Sequence, residues 1–405
     1  MTRPNRSQSS TVASYVCFAA QDWWYHNQAH SDFQLMRSVA RTRKVLVVNS
    51  IGMRMPLPGR TTQPWRRIAR KLGSVARLVR RPLADLPNFH VMSPLPLPLY
   101  GTALGRRVAA FVVRAQVRAA CLLLGIREPV ICVTIPTAWD VARGLPHRSL
   151  VYNRSDLHSA FPELAGDTVR TMESELLRAA DHVLYASQVL MHREEPSVGG
   201  TAHFLDHGVD VAHFRARPAA QLPDDLAEIP RPRIGYFGAI DETLIDLELL
   251  ERVAVELPEA SLVLVGSAAG PMTALTRHSN VHWLGHRHYA EIPSYGSGFD
   301  VALIAYRANS WSAHVNPIKL KEYLALGLPV VSTPFGEASR YADRIDVADS
   351  PAEYIRALRV TLARVGTGGE RPRAAEAEDW SWDSRAAQLV EWAERPGAPR
   401  ALSMP

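Results

Sequence analysis

Short runs of aliphatic and β-branched residues alternate along the chain with longer stretches whose apolar positions recur every three or four residues. The runs fall at residues 12–20, 44–49, 89–92, 130–135, 150–153, 182–186 and 203–205, and again at 233–237, 261–265, 281–283, 301–304 and 330–332. Most are apolar nearly throughout instead of alternating with polar residues, the pattern of strands covered on both faces of a parallel sheet. Between them, Phe33, Met36, Val39 and Ala40 follow helical spacing, as do residues 247–257 and 317–326. The alternation predicts an α/β chain of doubly wound parallel sheets. It pauses once, in a Pro-, Ala- and Asp-rich stretch at 215–232 that reads as a linker. The expected organisation is a first domain at 1–214, the linker 215–232, a second domain at 233–375 and a tail at 376–405. Residues 364–377 read as loop. In the tail, Trp382, Ala386, Leu389 and Trp392 form a helical stripe that must be buried, predicting a helix that crosses back onto the first domain.

A chain of 405 residues exceeds what one hydrophobic core organises, in agreement with two domains. With 47% hydrophobic and 21% charged residues, extended disorder is excluded. The longest apolar region, 108–136, is broken by Arg114, Arg118 and Arg127, so no membrane-spanning helix is expected. Residues 12–20 follow Arg3 and Arg6 as a signal peptide would, but Ser14, Tyr15 and the succeeding Gln21-Asp22-Trp23-Trp24 suit a first strand better. Three cysteines without a CxxC pair argue against a disulfide framework or a zinc site, and a reduced, cytoplasmic compartment is expected.

The net charge of +6 conceals opposite halves. Residues 1–205 carry 26 Lys+Arg against 13 Asp+Glu, a net of +13, and residues 206–405 carry 20 against 27, a net of −7. Such halves meet different partners. Residues 60–81 hold eight basic side chains and no acid, with Trp65, Ile68, Leu72, Val75 and Val79 as an apolar stripe. They predict a basic amphipathic helix and peripheral association with the inner face of a membrane. No nucleic-acid motif links the basic residues, so nucleic acid is not expected as a partner.

Candidate chemistry concentrates in residues 314–331. Asn316 suits an N-cap, Pro317 a first helical position, and Gly327 the residue that ends the helix. The helix N-terminus predicted behind strand 301–304 offers free amides to an anion. Lys319 and Glu322, three residues apart, share a face. A lysine near the anion and a carboxylate one turn deeper match a nucleoside diphosphate, the ammonium meeting phosphate and the carboxylate accepting from the ribose hydroxyls. An ordinary surface ion pair is the competing reading of the same two residues. No Asp-x-Asp occurs, so metal-independent chemistry is expected and no metal site is assigned.

These segments resemble the GT-B glycosyltransferases, especially the family 4-like, group 1 members that use nucleotide-sugar donors. The matching segments are His207-Gly-Val-Asp210 with Phe214, Arg233-Ile-Gly-Tyr-Phe-Gly238, Ser261 to Gly266, Val281 to Gly285, Phe299 to Leu303, Lys319-Leu-Lys-Glu322 and Gly327 to Val331. Over residues 1–200 the similarity is architectural. The resemblance implies two Rossmann-like domains about a cleft, a UDP-, GDP- or dTDP-sugar as cosubstrate without other cofactor, and a hydroxyl acceptor. It implies donor contacts from Gly238, His286, Arg287, Arg307, Asn316, Pro317, Lys319 and Glu322. The family's paired glutamates lie eight residues apart; here Glu322 holds the second position and His314 the first, which leaves retention of configuration only slightly favoured.

In the first domain, ligands are expected beyond the carboxyl ends of the strands. Asp22, His26 and His30 follow the first strand, with Trp23 and Trp24 as packing residues or as a platform for a sugar. Asp156 and His158 follow another strand as candidates to accept the acceptor's proton. Asp156, Asp22, His30 and His314 are the catalytic candidates. Two rivals share the architecture: a nucleotide-sugar epimerase, and a catalytically degenerate GT-B partner subunit.

Overall fold

The structure, a computed structural model, describes residues 12–24, 30–51, 78–95, 102–157, 167–218, 221–366 and 379–395. The first sheet contains β1 (Tyr15–Phe18), β2 (Val45–Val48), β3 (Val79–Arg80), β4 (Phe89–Met92), β5 (Val130–Val133), β6 (Ser149–Arg154), β7 (His182–Tyr185) and β8 (Ala202–Phe204). Their order is β3-β4-β2-β1-β5-β6-β7-β8, parallel except for β3, which runs antiparallel to β4. The second sheet contains β9 (Arg233–Phe237), β10 (Ser261–Val265), β11 (Val281–Gly285), β12 (Val301–Ile304), β13 (Val330–Ser332) and β14 (Asp346–Val347). Its order is β11-β10-β9-β12-β13-β14, parallel throughout.

Helices used below are α1 (Ser31–Val39), α2 (Ala103–Leu123), α3 (Gln188–Val198), α4 (Ile318–Ala325), α5 (Pro351–Gly366) and α6 (Trp382–Glu394). β1, β2 and β5 are buried along their whole length because helices cover both faces. On one face, Ala110, Val113 and Val117 of α2 pack against Val16, Leu46 and Ile131. On the other, Phe33 and Met36 of α1 share a core with Trp382, Ala386 and Leu389 of α6. The apolar stripe of α6 thus returns the tail to the first sheet, where Glu394 accepts from Tyr15 (3.0 Å) and Arg43 (2.8 Å). The second core gathers its own sheet with α4 and Tyr354, Ile355 and Leu358 of α5.

Three sequence expectations change. Val79 and Arg80, the end of the expected basic helix, form edge strand β3 against Met92 and Val91; residues 52–77 lie outside the described residues. The expected linker contains a short helix, Asp224–Ala227. Finally, Val209, Phe214 and Leu226 already belong to the second core, so packing starts before the composition shifts.

Strand order reverses between β1 and β5, and between β9 and β12. Such switch points open a crevice at the carboxyl ends of the strands, where loops diverge to either side. At the second one Gly238 leaves β9 while Tyr306 and Arg307 leave β12. The loops after β6 and β7 of the first sheet, carrying Asp156 and Ser187, meet these from across a cleft.

Candidate active site in the cleft

From β12 the chain passes through a 3-10 turn (Ser312–His314) into α4. Pro317, at φ −74° and ψ 118°, is the N-cap, and no side chain caps the helix. Among the described residues the amides of Ile318 and Lys319 find no partner, leaving a free helix N-terminus in the cleft. Asn316 is therefore not the cap expected from sequence, nor Pro317 the first helical residue. The Asn316 amide turns to the other domain, donating to the Ala186 carbonyl (2.8 Å) and Asp206 (2.7 Å), because a carboxylate attracts it more strongly than the helix amides do. Its buried Oδ1 is left without a partner. At the far end Gly327, at φ 70°, closes a Schellman motif: its N–H bonds Leu324 O (3.0 Å) and Leu328 N–H bonds Tyr323 O (3.1 Å).

Lys319 extends from the first turn into a cradle of phenols. Its Nζ donates to Tyr236 OH (2.6 Å) and sits 4.3 Å from the centre of the Tyr236 ring and 5.7 Å from that of Tyr306. The Tyr236 hydroxyl in turn donates to Ala239 O (2.8 Å). Gly238 lies against the same ammonium: a Cβ there would stand 2.7 Å from Lys319 Nζ, and its φ of 140° favours glycine. Burial opposes the lysine's charge, but Tyr236 and Tyr306 outweigh it and hold its pKa above the ordinary value. One turn on, Glu322 is 6% exposed. Burial pushes its pKa up from 4.5 to about 8, and the attraction of Lys319 only partly offsets this. Its carboxyl forms no hydrogen bond to a described side chain, so two acceptor oxygens face the cleft unpaired. A free helix N-terminus, a fixed ammonium and an unpaired carboxyl together suit a ligand with an anionic end and hydroxyl groups one turn away.

From the first domain, Asp156 approaches this cluster. Burial raises its pKa, opposed by Arg154. It faces Tyr306, and the Trp311 indole approaches it without reaching hydrogen-bond geometry. His314 is also at the boundary. Its Nδ1 lies 2.7 Å from the Ser310 carbonyl, which only accepts, so Nδ1 carries the proton and Nε2 accepts from Arg193 of α3 at 3.2 Å.

Other candidates are committed elsewhere. The Arg307 guanidinium donates to Glu242 O (2.8 Å) and braces the loop after β9. Arg287 donates to Tyr295 OH (2.6 Å) and pairs with Asp225 (2.5 Å), tying β11 to the short helix in the linker. His286 is exposed and packs edge-on to His288. Asp22 is buried and accepts from Trp24 N–H (3.0 Å) and Asn49 (3.3 Å), a turn at the end of β1. His30 sits at the start of α1, its ring edge-on to Phe33. Trp23 packs between Phe33 and Phe89. His26 and His158 lie outside the described residues.

Residues 231–374 match the family model described as Glycosyl transferases group 1. The second domain is similar to the group 1 glycosyltransferases. The chain is 28% identical over 257 residues to the putative teichuronic acid biosynthesis glycosyltransferase TuaH of Bacillus subtilis (strain 168), a match spanning 57% of this chain and 64% of that protein. The fold is GT-B: sucrose-phosphate synthase from Thermosynechococcus elongatus superposes with a TM-score of 0.68 at 15% identity, over 94% of this chain and 98% of that one. Anabaena HepE in complex with UDP and glucose superposes at 0.63 with 16% identity, over the same shares.

The second domain meets the first through a buried charge network that sequence reasoning missed. Asp206, on the crossing segment, takes Lys321 of α4 and Arg340 (2.8 Å) together with Asn316. Burial works against the Asp206 charge, but Lys321 and Arg340 outweigh it and hold its pKa well below the carboxylate range. Glu337 accepts from Ser187 Oγ (2.8 Å) and Val189 N–H (3.1 Å), at the N-terminus of α3 in the other domain. Lys321 lies two positions from Lys319, on the opposite side of α4, and helical phase was the available signal.

Proposed function

We propose that this protein transfers a glycosyl group from a nucleoside diphosphate sugar to a hydroxyl acceptor. One arrangement carries this reading: the Lys319 ammonium beside Gly238 at the uncapped start of α4, one turn from the unpaired Glu322 carboxyl. In it, Lys319 and the α4 amides take the diphosphate, and Glu322 accepts from the ribose hydroxyls. Cleavage of the anomeric C–O bond leaves negative charge on the departing phosphate, where these donors already point, so they stabilise the transition state more than the bound substrate. That role is filled here without a metal. The acceptor binds on the first domain, where Asp156 orients its hydroxyl. The reaction proceeds with retention, the departing phosphate taking the acceptor's proton. His314, positioned by Ser310 and Arg193, contacts the donor sugar in place of the first family glutamate. The enzyme works in the cytoplasm, at the inner face of the membrane.

The group 1 match and the similarity to the putative glycosyltransferase TuaH support glycosyl transfer, and HepE, solved with UDP, makes a uridine donor the first to try. The test is release of nucleoside diphosphate from UDP-, GDP- and dTDP-sugars over a panel of hydroxyl acceptors, with EDTA present. One donor class should turn over in the wild type and fail in Lys319→Ala and Glu322→Gln, and NMR of the product should show the donor's anomeric configuration kept. If no nucleoside diphosphate shifts the melting temperature and no donor is consumed, the proposal fails.

A further inference from the structure

The outward face of α2 has the wrong chemistry for water. Leu104, Val108, Phe111, Ala115, Ala119 and Leu122 recur every three or four residues and form one stripe along the helix. Leu104 is 72% exposed, Phe111 65%, Leu122 78% and the adjoining Leu123 83%. The opposite face, Ala109, Ala110, Val113, Val117 and Ala120, is buried. Single exposed leucines are ordinary on a protein surface, but a stripe running the length of a 21-residue helix is not. Arg107 and Arg118 line one flank of the stripe, Arg118 also donating to Gly144 O (2.8 Å); Arg114, on the same side, turns inward to Asp140 O (2.7 Å) and Val141 O (3.3 Å), and α2 contains no Asp or Glu.

We propose that α2 lies in the surface of an anionic lipid bilayer, its apolar stripe among the acyl chains and its arginine flank at the headgroups. The charge pattern selects this occupant. Nucleic acid supplies phosphates but nothing apolar for Leu104, Phe111 and Leu122. A second copy of the same face supplies apolar contact, but brings the same arginines and no acid to pair with them. A bilayer with anionic headgroups satisfies both halves, with about 1 kcal/mol converted to a roughly fivefold gain in partitioning for each arginine near the surface. No helix among the described residues is long and apolar enough to cross a membrane, so the contact is interfacial. The N-terminal end of α2 also borders a crevice at the carboxyl edge of the first sheet, lined by Ile51, Arg106, Val113, Thr137 and Asp140. There the buried Thr137 hydroxyl has no partner. On the proposed reading of that domain as the acceptor half, a bound α2 sets the crevice at headgroup level.

The test is flotation of the full chain with phosphatidylcholine vesicles, with and without about one-third phosphatidylglycerol. The wild type should float with the anionic vesicles only, less so at high salt. Phe111→Asp combined with Leu122→Asp should cut vesicle partitioning by at least about tenfold with the melting temperature unchanged, since both side chains face solvent. Arg107→Gln combined with Arg118→Gln, which leaves the apolar stripe intact, should also weaken binding and flatten its salt dependence. Vesicle binding is read separately from sugar transfer, so failure of one leaves the other standing. A wild type that stays with the protein-only control overturns the proposal. Apolar-stripe variants that float as well as wild type do the same, as does a wild-type dimer that Phe111→Asp and Leu122→Asp convert to monomers.

Discussion

Replacing Glu322 by glutamine should stabilise the unliganded protein while weakening its grip on nucleotide. The carboxyl has a pKa of about 8 in the folded chain against 4.5 for a free side chain, because burial opposes its charge and the attraction of Lys319 only partly offsets this. The folded pKa is the higher one, so the native state holds this proton more tightly than the unfolded chain does. Stability from Glu322 is accordingly complete below about pH 4.5 and is lost progressively as pH rises to about 8. The gap between 4.5 and about 8, at about 1.4 kcal/mol per pH unit, caps the loss at about 5 kcal/mol. Water entering the cleft around the ionised group reduces this to about 2–4 kcal/mol. Glutamine keeps the shape and cannot ionise. Calorimetry at pH 9 should therefore show Glu322→Gln melting higher than wild type by about 5–10 °C, a difference that shrinks with falling pH and vanishes near pH 4. Nucleoside diphosphate should reverse the ranking, because its ribose hydroxyls satisfy the carboxylate; losing that charged hydrogen bonding costs the variant about 10- to 100-fold in affinity. A variant that melts at or below wild type at pH 9, or binds nucleotide equally well, refutes the buried, unpaired carboxyl and its role.

Three further outcomes follow from the same geometry. Lys319→Ala should lower affinity for nucleoside diphosphate by about 10- to 100-fold, by titration calorimetry, and should hardly affect binding of the uncharged nucleoside. Gly238→Ala should lose about 1–3 kcal/mol of stability through its positive φ and weaken nucleotide binding together with it, because the new methyl displaces the Lys319 ammonium; unchanged binding would contradict the close approach. Asp206→Asn should cost about 3–5 kcal/mol at pH 7 by leaving the buried Lys321 without its counter-charge. The folded pKa of Asp206 is depressed, so its contribution is present above pH 4 and lost as pH falls. Denaturation curves of wild type and variant should therefore converge in acid.

Local sequence specified the strands well because each is a run of apolar side chains covered on both faces, a requirement met residue by residue. Phe89–Met92, Arg233–Phe237, Ser261–Val265, Val301–Ile304 and Val330–Ser332 begin and end where their apolar runs do. The end of α4 was legible for a similar reason: Gly327 acts through its own backbone geometry. β3 was not legible, because an edge strand of two residues, Val79 and Arg80, depends on what lies beside it and not on its own pattern. The same reason divides the site residues. Lys319 and Glu322 share a helix, so their common face follows from period alone. Asn316 is an apt cap by residue type, yet folding brings Asp206, 110 positions away, within 2.7 Å of its amide, and the carboxylate prevails. Tyr236 reads as one more strand residue until the sheet sets it beneath an ammonium 83 positions later. Charges and hydrogen bonds act through space. Sequence determined which segments become strands and helices, and which helix could receive a phosphate. Only the tertiary structure decided which of the polar residues were left unpaired to meet it.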